Sequence, residues 1–313
     1  MKPKQITDIL AGIFLYLILI SIMYVIPIAG IITWLFLPLP VLFFRLKTGR
    51  KNGMIIMLAS LVVFMIITGN IAVTIFYFGS LLMTGFVIGE CIENHLPIEK
   101  IMLYPFLLAL GFWMAGILFY SGLSGQEVGQ FISEYIARYQ AVSGQLFTGL
   151  EGTYPDMAVD RRIFERNVTL VLMISPGLFV CSYLMMICMN LIIIKRILLK
   201  QGIVVSSIDN LSLWKAPEVL VYGLIAVSVL SFFASGFLKI VSVNLIVILL
   251  LIYCFQGIAV VSFFFQKKQV PPMFRFILYL LVAIMPQILL LVVGCGLFDN
   301  WFNFRKLNTT TAS

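Results

Sequence analysis

The chain has 313 residues, of which 62% are hydrophobic and 11% are charged, and its formal net charge is +8. Soluble domains are about half apolar and about a quarter charged, so a soluble fold could not hide this much apolar surface. The composition excludes a cytosolic globular enzyme, a secreted disulfide scaffold and a disordered chain. It predicts an all-α integral membrane protein that contacts the lipid bilayer.

About nine apolar runs follow one another along the chain, and each is a candidate for crossing a hydrocarbon core ~30 Å thick. Runs too long for one span are divided at turn signals, Pro27 with Gly30 in the first and Thr68-Gly69-Asn70 in the next. The predicted spans are 9–26, 31–44, 54–68, 71–89, 101–120, 168–194, 219–237, 240–265 and 274–297. The second run is short and contains Pro38 and Pro40, so we expect it to be bent or to cross only in part.

The basic residues predict the orientation of these spans. Placing the N-terminus in the cytoplasm puts 14 of the 21 Lys and Arg residues inside and 7 outside, which agrees with the positive-inside rule. With nine spans, the C-terminus is expected outside. Clusters of basic residues between apolar runs are typical of such topology signals, and we expect no binding to nucleic acid.

One long polar loop, residues 122–167, is predicted on the outer face. Within it, apolar residues recur with the spacing of one helix face, which predicts an amphipathic helix. This apolar stripe consists of Val128, Phe131, Ile132, Tyr135, Ile136, Tyr139, Val142 and Leu146. We expect the stripe to pack on the outer mouth of the helix bundle, although such a helix can instead lie on lipid.

The sequence contains little that predicts catalysis. No charged residue lies deep within a predicted span, which argues against a pump or a proton-coupled carrier. No phosphate loop, nucleophile elbow or zinc-protease motif occurs, and the only histidine, His95, lies in a predicted cytoplasmic loop. Five cysteines without a Cys-x-x-Cys pair predict no metal site. We therefore expect a protein that is not an enzyme and that uses no cofactor.

Uncharged polar residues and small residues inside the spans leave two interpretations open. The amides are Asn190, Asn244, Gln256 and Gln287. Such groups usually bond to a neighbouring helix, but they can also line a pocket for a polar, uncharged solute. Gly85 and Gly89 form a Gly-x-x-x-Gly face that favours close helix packing.

The last third of the chain carries a family resemblance, in Asn244-Leu245, Tyr253, the run 256–260 and the run 296–305. Together these resemble the bacterial family of multi-pass membrane proteins of unknown function typified by YybS. The resemblance implies a bacterial inner-membrane protein, distantly similar to the S components of energy-coupling-factor transporters and to MreD-type morphogenesis proteins. S components are six-helix bundles, and the first six predicted spans fit that body. The Ala-x-x-x-Ala motif of their first helix is missing, because Ala11 is followed by Leu15.

These observations predict three segments and two functions. The segments are a six-span S-component-like body at 1–194, a cytoplasmic loop at 195–217 and a three-span extension at 218–313. The first function is recognition of a small polar solute, as one subunit of an uptake system with other membrane subunits. The second is a structural scaffold for envelope, morphogenesis or division proteins. For the first, the proposed outward-facing ligand residues are Asn70, Tyr120, Ser121, Tyr135, Arg138 and Tyr139.

Overall fold

A computed structural model describes residues 3–125, 127–153, 160–201 and 211–306. These residues contain helices and no strand, which confirms the all-α class. The α-helices are α1 (Pro3–Val25), α2 (Pro27–Phe36), α3 (Leu39–Thr48), α4 (Arg50–Thr68), α5 (Gly79–Glu93, preceded by a π-helical segment Val73–Phe78), α6 (Ile98–Ser124), α7 (Val128–Thr153), α8 (Arg161–Lys200), α9 (Val219–Phe233), α10 (Gly236–Lys267), α11 (Pro272–Ile284) and α12 (Pro286–Phe302).

The structure supports fewer spans than the nine predicted. Within the described residues, six helices are long and apolar enough to cross a membrane, and a seventh span results if the bent pair α11–α12 counts as one. The second predicted run falls short because it is divided into two helices of 10 residues each. The seventh predicted run is not among the six, because α9 has only 15 residues and a helix needs about 20 to cross the hydrocarbon core.

Contacts between residues divide the chain into two compact units. The first unit contains Met1–Val142 and Tyr183–Asp209, and the second contains Ser143–Ser182 and Asn210–Ser313. This division differs from the segments 1–194, 195–217 and 218–313, which stay a prediction.

In the first unit, α2 and α3 together run back along α1. Gly30 faces the Met23 side chain near the end of α1, and Tyr16 in its middle bonds to Leu37. Near the start of α1, Asp8 forms an ion pair with Lys47 at 2.8 Å. The second predicted span is therefore an interrupted return segment, with Pro38 at the interruption.

The break between α2 and α3 is closed by side chains. In a regular helix the Val41 N–H would donate to the Leu37 carbonyl. Here the buried Tyr16 hydroxyl lies between them, donating to Leu37 O at 2.8 Å and accepting from Val41 N at 3.2 Å. The Asn190 amide of α8 also donates to Leu35 O, at 2.9 Å. These bonds satisfy backbone groups that have no water partner inside a membrane.

In the second unit, a side chain bonds to the backbone of α8 in the same way. Pro176 lies inside this helix and removes one backbone donor, and the Asn244 amide of α10 bonds to the backbone on both sides of it. Its Oδ1 accepts from Gly177 N, and its Nδ2 donates to Met173 O at 2.8 Å. A Cβ at position 177 would lie 2.7 Å from Asn244 Oδ1, so the glycine provides the necessary space. Asn190 and Asn244 thus bond to neighbouring segments, the first of the two roles expected for such amides.

Glycines allow two close helix contacts. In the first unit, a Cβ on Gly85 would lie 2.1 Å from the Pro38 carbonyl oxygen, so α5 and the start of α3 pack backbone to backbone. In the second unit, a Cβ on Gly257 would lie 1.9 Å from the Val292 carbonyl oxygen, and one on Gly296 would lie 2.0 Å from that of Tyr253. The packing role predicted for Gly85 is confirmed, and the α10–α12 crossing adds a second example.

The predicted amphipathic helix is present as α7, but the expected packing of its apolar stripe is wrong. Ile132, Tyr135 and Leu146 are 52%, 62% and 62% exposed, and Phe131 lies among the side chains that the structure does not describe. Helical periodicity identifies an apolar face but does not distinguish cover by protein from cover by lipid. The buried part of α7 lies outside the stripe, where Phe147 packs on Phe164.

Candidate functional site

The six residues proposed as an outward-facing site are not enclosed. The side chains of Asn70, Tyr120, Tyr135, Arg138 and Tyr139 are exposed, and that of Ser121 is half-buried. Asn70 has a local structural role, since its Oδ1 accepts from the Val73 N–H at 3.0 Å where the chain turns into α5. A shared ligand site at these residues stays a prediction.

Buried charge is the main feature that the structure adds. The predicted spans contain no charged residue deep inside them, but just beyond their ends the side chains of Arg45 and Arg305 are 0% exposed and that of Asp299 is 1% exposed. Burying an ion costs several kcal/mol unless partners satisfy it. These residues therefore indicate two polar clusters, one around Arg45 in the first unit and one around Asp299 and Arg305 in the second.

In the first unit, Arg45 connects the end of α3 to the end of α5. Its Nη2 donates to Glu90 and Glu93 at 2.7 Å each, and its Nη1 donates to the Phe86 carbonyl oxygen at 2.8 Å. Gly89 leaves room for the guanidinium, because a Cβ there would lie 2.7 Å from Arg45 Nη1. Both carboxylates stay partly exposed, and this cluster links the end of α3 to the end of α5.

In the second unit, Arg305 connects the residues after α12 to the segment before α9. Its Nε and Nη2 donate to Asp299 Oδ2 at 3.2 and 2.6 Å. Its Nη1 donates to the carbonyl oxygens of Ser212 and Trp214 at 2.8 and 2.9 Å. The guanidinium thus neutralises a buried carboxylate and satisfies irregular backbone with the same side chain.

Gln256 of α10 completes this arrangement. Its Nε2 donates to Asp299 Oδ2 at 3.2 Å and to Asn300 Oδ1 at 3.1 Å, while its Oε1 accepts from the Ala216 N–H at 3.2 Å. Asp299 Oδ2 therefore receives three donors. We call Gln256, Asp299, Asn300 and Arg305, together with Tyr253 one helical turn before Gln256 on α10, the α12 cluster.

Three polar atoms of the α12 cluster are buried without a hydrogen-bond partner among the described residues. They are Asp299 Oδ1, Asn300 Nδ2 and Tyr253 Oη. A buried polar group left unpaired costs about 1–3 kcal/mol, so native proteins usually supply a partner such as water or a ligand. The unpaired carboxylate oxygen accepts hydrogen bonds, the amide nitrogen donates them, and the hydroxyl does both. Ordered water, or a small molecule that carries a donor and an acceptor, would satisfy these groups.

Comparison with protein families assigns the chain. The model of the family described as "Predicted membrane protein (DUF2232)" matches residues 13–300. The chain belongs to this family. The comparisons with curated proteins and with solved structures find no match.

Membership of the DUF2232 family confirms a multi-pass membrane protein, in contact with the lipid bilayer. The matched residues include Gln256, Asp299 and Asn300 and end before Arg305. The family description names no activity and does not confirm the expected similarity to S components.

Sequence reasoning missed the charged members of both clusters in this DUF2232 protein. Arg45, Asp299 and Arg305 lie at or beyond the ends of apolar runs, where a linear reading assigns them to polar loops. The available signal was the pair of acidic residues Glu90 and Glu93 one helical turn apart, and the spacing of Asp299 and Arg305 around a helix end. Neither spacing identifies the backbone groups of Phe86, Ser212 and Trp214 that complete the clusters.

Proposed function

We propose that this DUF2232 protein is a non-enzymatic membrane subunit that recognises a small polar solute at the α12 cluster. The observation that supports the proposal is the set of buried, unpartnered atoms Asp299 Oδ1, Asn300 Nδ2 and Tyr253 Oη. The proposal retains the location in the bacterial inner membrane and the orientation with a cytoplasmic N-terminus, both inferred from the sequence. It moves the proposed site from the outward-facing residues around Tyr120 and Tyr135 to the buried atoms of the α12 cluster.

The chemistry of the α12 cluster favours a neutral solute. Asp299 and Arg305 balance each other's charge at 2.6 Å, so a charged ligand would bring a net charge into a buried site at a high cost. A group that donates to Asp299 Oδ1 and accepts from Asn300 Nδ2 fits the unpaired atoms. Primary amides and neighbouring hydroxyl groups carry both functions.

Tyr253→Phe tests the proposal, because it removes one unpartnered hydroxyl and no bond within the protein. The matched control is Tyr222→Phe on α9, where the side chain is 68% exposed. Both variants and the wild type would be purified in mild detergent and compared by native mass spectrometry. Thermal melting would then be followed with a panel of small amides and polyols.

We expect wild type and Tyr222→Phe to retain the same solute or to be stabilised by the same panel compound. Tyr253→Phe should bind that compound about tenfold more weakly, which corresponds to ~1.4 kcal/mol for one hydrogen bond. Equal binding by all three proteins would contradict the assignment to Tyr253. Absence of any retained or stabilising compound would mean that the unpaired atoms hold ordered water.

The exposed stripe of α7 favours a second candidate, a structural scaffold for other membrane proteins. Large exposed apolar patches are typical of surfaces that contact protein or membrane. A photo-reactive amino acid in place of Tyr135 shows whether protein or lipid contacts the stripe in intact cells. Protein adducts of one discrete mass would support the scaffold, and lipid adducts alone would exclude it for this surface.

A further inference from the structure

The residues after α12 lie beside the segment 211–216, which we call the pre-α9 loop. Arg305 bonds to the carbonyl oxygens of Ser212 and Trp214 in this loop. Ser212 in turn donates to Gln266, the penultimate residue of α10, at 3.3 Å. The end of α12, the pre-α9 loop and the end of α10 are therefore neighbours within the second unit.

The start of α11 lies at the same end of α10. Arg275 donates to the carbonyl oxygens of Val270 and Phe265 at 2.7 and 3.2 Å, which ties the first turn of α11 to the last turn of α10. A single crossing by α11 and α12 would instead carry residue 305 toward Gly236, at the other end of α10. With 32 residues, α10 is about 48 Å long, so these two ends are far apart.

The bend between α11 and α12 explains how the chain returns. The two helices meet at 104°, with Met285 between them and Pro286 opening α12. Proline removes a backbone donor and clashes with the preceding turn, so the helix cannot continue straight.

We propose that α11 and α12 form a re-entrant hairpin, which enters and leaves the membrane on the side of the pre-α9 loop. The Asp299–Arg305 pair is the latch that fixes its returning end to Ser212 and Trp214. This assignment replaces the expectation of a ninth crossing with the C-terminus outside. That expectation is incompatible with a cytoplasmic segment 195–217, because Arg305 contacts residues of that segment.

The distribution of charge supports the hairpin independently. Moving Arg305 and Lys306 to the cytoplasmic side changes the basic residues from 14 inside and 7 outside to 16 inside and 5 outside. The positive-inside bias thus rises from twofold to about threefold.

The hairpin also specifies the side from which a solute would arrive, an implication that rests on the proposed function. Asp299 and Asn300 belong to the returning end of the hairpin, next to the pre-α9 loop. A solute bound there would enter from the side of that loop, which the charge distribution places in the cytoplasm. The two proposals can fail separately. If the protein retains a solute but its C-terminus lies outside, the hairpin is wrong and the proposed function stands.

Single cysteines test the hairpin directly. Lys306→Cys would be introduced into a variant whose five native cysteines are replaced by alanine. Lys268→Cys, at the end of α10, reports the side of the pre-α9 loop, and Gln145→Cys in α7 reports the predicted outer face. Labelling with a membrane-impermeant maleimide would be compared in intact and permeabilised cells.

We expect Lys306→Cys to label like Lys268→Cys, with at least tenfold more labelling in permeabilised than in intact cells. Gln145→Cys should label equally in intact and in permeabilised cells. Labelling of Lys306→Cys in the pattern of Gln145→Cys would overturn the hairpin. If the cysteine-free background does not fold, C-terminal fusions to the unmodified chain replace it. A fluorescent cytoplasmic reporter supports the proposal, and an active periplasmic phosphatase refutes it.

Discussion

Individual side chains of this protein take the place of missing backbone hydrogen bonds. Tyr16 connects Leu37 to Val41 across Pro38 and Pro40, and Asn244 connects Met173 to Gly177 across Pro176. In lipid an unpaired backbone group has no water to bond, so such a side chain contributes more than an ordinary surface contact. Their bonds to the backbone therefore explain why Tyr16 and Asn244 occur inside apolar helices, without any role in ligand binding.

Tyr16→Phe is expected to destabilise the first unit. The change leaves the Leu37 carbonyl and the Val41 N–H unpaired and buried, at a cost of about 1–3 kcal/mol. Tyr24→Phe in the same helix is the control, because that side chain is 58% exposed. Melting in one detergent should separate the two variants by several degrees, and identical melting temperatures would contradict the bridging role of Tyr16.

Arg305→Ala is expected to cost about 3–5 kcal/mol, since it leaves Asp299 charged and unpaired in a buried site. The double variant Asp299→Leu with Arg305→Met should recover much of that loss, because it removes both charges. The exposed pair Arg161–Glu165 provides the control, and Arg161→Ala should change stability by less than about 1 kcal/mol. Chemical denaturation in detergent measures all three, and an Arg305→Ala protein as stable as wild type would refute the latch.

At the scale of whole elements, the sequence predicted the long helices and several of their ends. Thr68-Gly69-Asn70 indicated a turn, and α4 ends at Thr68 with Gly69 in the left-handed conformation at φ +63°. Hydropathy detects such spans because each long helix must be apolar over the hydrocarbon core. It does not specify the division of the second run into α2 and α3, where Tyr16 and Asn190 bond to the backbone.

The α12 cluster could not be predicted from the sequence, because its contacts depend on how distant helices pack. Gln256 was identified as an amide within a span, with two possible roles. Its pairing with Asp299 depends on the α10–α12 crossing at Gly257 and Gly296, which no local pattern specifies. The family resemblance included these residues as a pattern without their contacts.

Neighbouring residues of α7 test how that helix is covered. Phe147→Ala should cost about 3–5 kcal/mol, because the ring is 4% exposed and lies 5.0 Å from that of Phe164. Leu146→Ala should change stability in detergent by less than about 0.5 kcal/mol, because Leu146 is 62% exposed. Equal destabilisation by both changes would show that protein covers the stripe after all.

At the scale of the whole molecule, broken helices and buried charges distinguish this protein from a simple bundle. Non-helical backbone inside a membrane persists where protein or a water-filled cavity covers it, as in many transporters. The second unit combines a 104° bend between α11 and α12, a buried ion pair at the end of α12, and unpaired polar atoms on α10 and α12. The proposed solute recognition at the α12 cluster would give these three features one function.

The most direct test of solute recognition is a crystal structure of protein purified in mild detergent and grown in a lipid mesophase. We predict electron density larger than one water molecule, within hydrogen-bond distance of Asp299 Oδ1 and Asn300 Nδ2. The same density should be absent or weaker in crystals of Tyr253→Phe. A single ordered water at Asp299 Oδ1 in both proteins would contradict the account.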